Sequence, residues 1–461
     1  QRRMRWPGTR RARAARDALA LGPAAGARRL RRAGGACHRA QRLNLHPLSK
    51  FGPVAIDLGH SQGDARPFDG PYSWRVIILT LVITSLSFGA ITSVPILLKS
   101  IAAEWGSGVR SVSLVHMSAM LGAGFGSLFL GRMVDRFGFF RIAIVGALAT
   151  TAGLTLAAEA KHLLTLHLAF GLLVGGLGQA AFFSPIAVES SRWFCRHRSF
   201  AIAVAASGQS VGGLIVPFVL RGLSDGYGWR TALLIYGMVA GLTMLLCALV
   251  FRRAAPGSAV HATGREAAKP LDGPVKRRVF LLCLALCLSN LASFIAIGHL
   301  TSYGDEQGLS SALSATLLST LLGVALLSRL SIQAMGAWWG QSRTLFAMTA
   351  VQWLGTLVLL AAHGLGSILM GAVLIGLGFG GYLPSYPVIV RTMFPNHQAG
   401  RRISEVYFLV FMTAGLGSWL GGCLRDLTGN YTASFGLAAL SSGIALVVLG
   451  LSDRSRSLGL C

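Results

Sequence analysis

The sequence is short of acid. Its 461 residues hold 16 Asp and Glu against 42 Lys and Arg, and charged residues of both signs make up only 13%. A soluble domain averages about 25%, so this chain cannot keep a water-facing surface over its whole length. The acids also avoid the long apolar stretches. No carboxylate lies in the middle of one: Glu189 and Glu405 stand at ends, and Asp305 and Glu306 lie outside. The seven cysteines (Cys37, Cys195, Cys247, Cys283, Cys287, Cys423 and Cys461) are scattered. Cys283 and Cys287 share a helix face, but nothing nearby completes a zinc set, so all seven read as small apolar residues. No nucleophile–base pair or metal cluster appears, which argues against an enzyme and implies no cofactor. The first 74 residues lack an apolar run of h-region length, so they are not a secretory signal.

What is present is apolar length. Residues 75 to 451 hold twelve stretches of about 19 to 25 residues in two groups of six, each long enough to cross a bilayer as a helix. The predicted spans lie near 76–98, 112–131, 142–160, 164–187, 199–220 and 230–251, then near 279–301, 312–334, 344–362, 366–390, 403–424 and 432–451. The 53% hydrophobic content, mean hydropathy of +0.60 and 58 glycines agree with close-packed membrane helices.

The net charge of +26 would suggest nucleic acid in a soluble protein. Its placement argues otherwise. About fifteen basic residues fall in the first 74, as in Arg28-Arg29-Leu30-Arg31-Arg32, and the rest cluster in alternate loops. Three readings stand for the basic tail: upstream sequence translated from too early a start, a disordered segment touching anionic lipid, or a targeting peptide. None requires a fold. The basic loops hold Arg132, Arg136 and Arg141, then Arg192, Arg196 and Arg198, then Arg252 to Arg278, then Arg391, Arg401 and Arg402. The positive-inside rule puts these loops and both termini in the cytoplasm. The expected divisions are a disordered extension (1–74), a six-helix bundle (75–252), a cytoplasmic linker (253–278), a second six-helix bundle (279–452) and a cytoplasmic tail (453–461).

The halves echo each other. Gly131-Arg132-Met133-Val134-Asp135-Arg136-Phe137-Gly138-Phe139-Phe140-Arg141 follows span 2. The corresponding place after span 8 keeps Gly340 and Arg343 but has Ala337 where the first copy has Asp135. A six-helix unit used twice is how many secondary transporters are built, with substrate between the halves. Gly131 and Gly138 are expected to allow a sharp turn. Asp135, Arg136 and Arg141 suit a charged latch at the cytoplasmic face, docking on a helix end or a carbonyl row; a solvated loop chosen only for topology is the alternative.

The spacing of Gly131, Asp135, Arg136, Gly138 and Arg141 resembles the signature loop of the major facilitator superfamily. Further pieces resemble its branch of monocarboxylate transporters and oxalate:formate antiporters. They are Trp193-Phe194 with the basic residues after it, Ser207-Gly208-Gln209-Ser210-Val211-Gly212-Gly213, Gly228-Trp229-Arg230, Gly298-His299-Leu300, Gly308-Leu309-Ser310 and Asp426-Leu427-Thr428-Gly429. The resemblance covers residues 75 to 451 and none of the tail.

Arg329 is the most informative single residue. It sits in span 8 within Leu326-Leu327-Ser328-Arg329-Leu330-Ser331, one to two turns from the expected cytoplasmic end. One reading is snorkelling to the interface. The other is an anion site or gate in a central cavity, because a guanidinium matches a carboxylate in two prongs. The resemblance supports the second, since that branch carries a span 8 arginine that binds the substrate carboxylate. The monocarboxylate transporters also have an aspartate one turn earlier; here that place holds Ala325, which puts proton coupling through the pair in doubt.

Other polar residues in spans read more weakly. His116, His167 and His299 are each able to carry a proton near neutral pH, or to serve as satisfied packing residues. Asn290, Gln179, Gln209 and Gln333 are candidates for lining the cavity or bonding across helices. Lys99 reads as a snorkelling anchor or an entry charge. Tyr382-Leu383-Pro384-Ser385-Tyr386-Pro387 is expected to break span 10 by removing two backbone donors, as hinge or cavity wall.

The expectation is an all-α membrane protein, with twelve transmembrane helices in two pseudo-symmetric six-helix bundles. It would be monomeric, and it would sit in lipid in a bacterial inner (plasma) membrane. Its role would be secondary active transport of a small organic anion, a mono- or dicarboxylate, with a coupling proton or counter-anion and no nucleic acid. An exporter of uncharged or amphipathic compounds is the alternative. A non-transporting sensor on a transporter fold ranks below both.

Overall fold

A bilayer core offers no water to unpaired backbone groups, so a chain that crosses it must satisfy them internally. The computed structural model does so with helices throughout. It describes residues 69–194, 197–253, 255, 273–393 and 396–457. The basic segment 1–68, most of the 253–278 linker, Cys37, Cys195 and Cys461 lie outside the described residues. So do the side chains of Asp135, Gln333, Pro387, Arg391, Arg401 and Arg402.

Among the described residues, ten helices are long and apolar enough to cross a membrane. Ala201–Arg252 is 52 residues long and turns at Gly228, where φ is 81°, so it holds spans 5 and 6. Span 4 is the shorter apolar helix Leu163–Gln179, which completes twelve. Span 1 is Pro71–Ile96, span 2 Val109–Phe137 and span 3 Phe139–Ala158. Span 7 is Gly273–Glu306, span 8 Ser311–Trp339, span 9 Gln341–Leu360, span 10 Leu365–Met393, span 11 Asn396–Thr428 and span 12 Thr432–Ser457.

Spans 1 to 6 pack chiefly on one another, with span 1 on span 5, span 2 on span 4, and span 3 on spans 4 and 6. Spans 7 to 12 repeat the scheme: 7 on 11 and 12, 8 on 10, and 9 on 10 and 12. The halves meet along span 2 with span 11 and span 5 with span 8. The face carrying the start of span 1 and the end of span 12 is the inner face by the positive-inside reading; the other is outer.

Three local expectations need correction. Gly131 makes no turn: it lies inside the span 2 helix, which runs on to Phe137. Gly138 alone turns the chain, at φ 80°, and Gly340 does the same between spans 8 and 9 at φ 85°. Only a residue without Cβ adopts that backbone cheaply. Span 4 does not run as one helix over 164–187. It is α-helical over Leu163–Leu168, π-helical over Ala169–Gln179, and α-helical again over Ser184–Ser191. The π stretch is glycine-rich and touches span 2 backbone to backbone. A Cβ at Gly122 would collide with the Gly171 carbonyl, and one at Gly126 with the Gly176 carbonyl. Finally, Pro384 and Pro387 do not break span 10, whose helix continues through both to Met393.

Candidate functional site

Arg329 does not snorkel. It is 3% exposed and points across the seam between the halves. Its Nη1 donates to the Ala206 carbonyl at 2.5 Å and lies 3.5 Å from Gln209 Oε1, both on span 5. The guanidinium carbon lies 5.8 Å from the centre of the Phe379 ring of span 10. The phenols of Tyr382 and Tyr407, from spans 10 and 11, lie near it. Nε and Nη2, the parallel donors of the guanidinium's free edge, have no hydrogen-bond partner among the described residues. Buried polar groups are almost always bonded, and an unpaired buried charge is costly. That edge is the two-pronged geometry a carboxylate fits.

A polar network backs this position. Tyr382 lies 3.1 Å from Ser293 Oγ and donates to Asn290 Oδ1 at 3.5 Å. Asn290 Nδ2 donates to the Val410 carbonyl at 2.7 Å, tying span 7 to span 11. Gln352 Nε2 donates to the Ser289 carbonyl at 2.7 Å and to Ser293 Oγ at 3.0 Å. On the inner side, Phe183 of the span 4 region meets Tyr407 and Phe411 of span 11, each with ring centres 4.9 Å apart.

The structure therefore brings together Arg329, Gln209, Tyr382 and, behind them, Asn290. Tyr386 is buried next to Tyr382, with ring centres 6.4 Å apart. Gln179 does not join them: it accepts from Ser87 at 2.7 Å and links spans 1 and 4 inside the first half. His299 lies elsewhere, near the outer face, bonded to the Ser418 carbonyl at 2.6 Å. His167 lies 3.3 Å from Ser118 and ties span 4 to span 2. Phe379, Tyr407, Gln352 and the Ala206 carbonyl escape sequence reasoning, because an aromatic or amide in an apolar run shows no sign of the face it occupies.

At the outer face, charged groups from the two halves pair with each other. Arg221 at the end of span 5 meets Asp305 at the end of span 7 at 2.7 Å. Asp426 accepts from the backbone N–H groups of Val109 and Arg110 at 3.2 and 2.8 Å, so span 11 caps the start of span 2. Arg425 bonds Glu306 and Asp426 beside it. Lys99 lies outside span 1, in the short helix Leu98–Glu104. Burial pulls its ammonium below the ordinary value, while Asp305 and Glu306 work to raise it. Gly228-Trp229-Arg230 clamps the first half: Trp229 and Arg230 both donate to Glu104, and Arg230 also donates to the last turn of span 3 at Ala158.

At the inner face, the Trp193-Phe194 segment packs on the start of span 1. Tyr72 and Trp193 have ring centres 5.0 Å apart, Ser73 donates to the Trp193 carbonyl, and Asp69 accepts from His197. In the 131–141 loop, Arg136 lies over the Phe137 ring at 5.3 Å, and both Arg136 and Arg141 are exposed.

Residues 79–371 match the family model described as Major Facilitator Superfamily. Monocarboxylate transporter 11 of Mus musculus is 28% identical over 386 residues, which cover 80% of this chain and 85% of that protein. Monocarboxylate transporter 13 of Bos taurus is 29% identical over 387 residues, 81% of this chain and 88% of that one. Among solved structures, a point mutant of the nucleoside transporter NupG superposes with a TM-score of 0.64 at 14% identity, covering 83% of this chain and 99% of that one. A POT family transporter gives 0.67 at 13% identity, covering 82% and 96%. At such identity these two speak for the fold alone.

Proposed function

Because the chain belongs to the major facilitator superfamily and is similar to its monocarboxylate transporter branch, we propose that it moves a small organic anion, a mono- or dicarboxylate, by alternating access. It is a multi-pass membrane transporter and not an enzyme, as its relatives are transporters. The two bundles rock around Arg329. The carrying observation is a buried guanidinium on the seam whose Nε–Nη2 edge has no protein partner among the described residues. Gln209 and Tyr382 flank the anion, and Phe379 supplies one wall. The termini and the 253–278 linker face the cytoplasm of a plasma membrane, with the 131–141 loop as a latch beneath the first half. Ala325 leaves Arg329 without a carboxylate one turn away, so a coupling proton or counter-anion must act elsewhere in the cycle.

The test is initial uptake of labelled monocarboxylates and dicarboxylates into proteoliposomes. A charge-assisted contact is worth about 1.5–3 kcal/mol, so Arg329→Ala lowers transport at low substrate by about 10- to 150-fold. Arg329→Lys keeps the charge without the fork and falls between. Unchanged transport by Arg329→Ala, with normal yield of folded protein, refutes the anion site.

A further inference from the structure

Two imidazoles lie buried in the outer half of the seam, away from Arg329. His116 of span 2 and His299 of span 7 are both 0% exposed and share one residue of span 11. His116 Nδ1 lies 2.8 Å from Ser418 Oγ. His299 Nε2 lies 2.6 Å from the Ser418 carbonyl. A carbonyl only accepts, so His299 carries its proton on Nε2. Its Nδ1 then accepts from the Tyr431 hydroxyl at 3.4 Å. His116 Nε2 has no partner among the described residues. The His299 ring is packed closely: a Cβ at Gly421 would collide with it.

This arrangement fits two neutral rings. A proton on His116 Nε2 would face no acceptor, and a charge on one ring would act on the other. The charged and titratable neighbours are Asp426 and Arg425 from span 11, Tyr431 from span 12 and, on span 7 itself, Tyr303 and Glu306. Span 4 offers His167, which bonds Ser118 of span 2 instead. The carboxylates among these neighbours are already engaged: Asp426 with the start of span 2 and with Arg425, and Glu306 with Arg425.

The His116–Ser418 bond also crosses between the halves, from span 2 to span 11, on the same side of the membrane as the Arg221–Asp305 pair. Opening the outer face must part it and bring His116 to water, where an imidazole takes a proton near neutral pH. We infer that His116 and His299 form a proton-binding site that seals the outer seam when neutral and favours the outward-open state when protonated. The inference rests on the alternating-access reading above, but not on the anion site. A proton that binds one conformation better shifts the population toward it. An imidazole titrates near 6.5 in water. If it binds protons only when open, the open-to-closed ratio rises about tenfold between pH of about 8 and about 5.5.

The experiment places spin labels at Ala103 and Gln307, one on the outer rim of each half and both exposed. It uses the full-length chain in lipid nanodiscs, with the native cysteines replaced and melting temperature checked. Pulsed dipolar spectroscopy then reads the distance distribution at the two pH values. The expected result is a longer-distance population whose ratio to the shorter one grows about tenfold on acidification, the rise setting in near pH of about 6.5. His116→Gln with His299→Gln removes that response. His116→Lys, a standing cation, populates the longer distance at both pH values while keeping a cooperative melting transition. Arg329→Ala keeps the acid response while losing counterflow of labelled L-lactate, so a failed anion site leaves this test intact. A wild-type distance insensitive to pH overturns the inference. So does an acid response that survives the double histidine variant, which would assign it to Asp305, Glu306 or Asp426.

Discussion

The Arg221–Asp305 pair should set how often the outer face opens. It joins span 5 of one half to the end of span 7 of the other at 2.7 Å, with side chains only 9% and 14% exposed. Weak solvent screening makes it unlike a loose surface pair. A hydrogen bond between charged groups at such a site is worth about 1.5–3 kcal/mol. On the alternating-access reading the bond exists only while the outer face is closed, so Arg221→Gln should raise the open-to-closed ratio by about 10- to 150-fold. Ser113 supplies the reporter. It is 0% exposed on span 2, where a Cβ at Gly422 of span 11 would press on its hydroxyl. Its Ser→Cys variant meets an aqueous reagent only when the seam parts. The assay is the labelling rate of that cysteine by a membrane-impermeant maleimide added outside. Labelling should rise by the stated factor in Arg221→Gln and in Asp305→Asn. The double variant should add little to either, because the two residues lose one shared contact. Reversing both charges should restore much of the protection. Equal labelling in wild type and Arg221→Gln, with both folded, would show that the pair is incidental to closure.

Two further outcomes concern the frame. Glu104 accepts from Arg230 and Trp229, and the Arg230 hydrogen bond holds its carboxyl below the ordinary 4.5. A depressed acid stabilises fully above its unfolded value and loses that effect as pH falls through the folded one. The melting temperature of Glu104→Gln should therefore lie below wild type at neutral pH, and the gap should narrow as pH falls past the ordinary carboxylate range of about 4; a gap constant with pH would count against the clamp. Among the glycines, Gly131→Ala should be neutral or slightly stabilising, by up to about 1 kcal/mol, because it is helical with open space at Cβ. Gly126→Ala should cost most of the folded yield, because its Cβ collides with span 4 backbone. Equal yields from the two variants on size-exclusion chromatography would contradict the close approach of spans 2 and 4.

The twelve crossings are legible because run length alone marks them, and the merged helix 201–252 still turns at Gly228, where the sequence shows a glycine before Trp229-Arg230. The turns at Gly138 and Gly340 are legible as a repeated motif. Gly131 misleads because spacing within a loop motif does not say where the preceding helix stops. The π turns of span 4 stay hidden because glycine-rich apolar sequence fits α and π backbones alike. Arg329 announces itself as a lone charge in an apolar run. Its partners do not: Ala206 is 123 residues away and contributes only a carbonyl. The histidine pair is visible as two separate candidates, but their meeting at Ser418 joins positions 302 and 119 residues apart. One absence ties these sites together. With no carboxylate in the middle of any span, the inner seam holds a cation with a free edge, and the outer seam holds two rings with no acid of their own. On the proposed reading, a bound anion neutralises the first site and the second stays closed only while uncharged. Each half of the seam would then be set by one arriving ion rather than by a resident counter-charge, an anion within and a proton without.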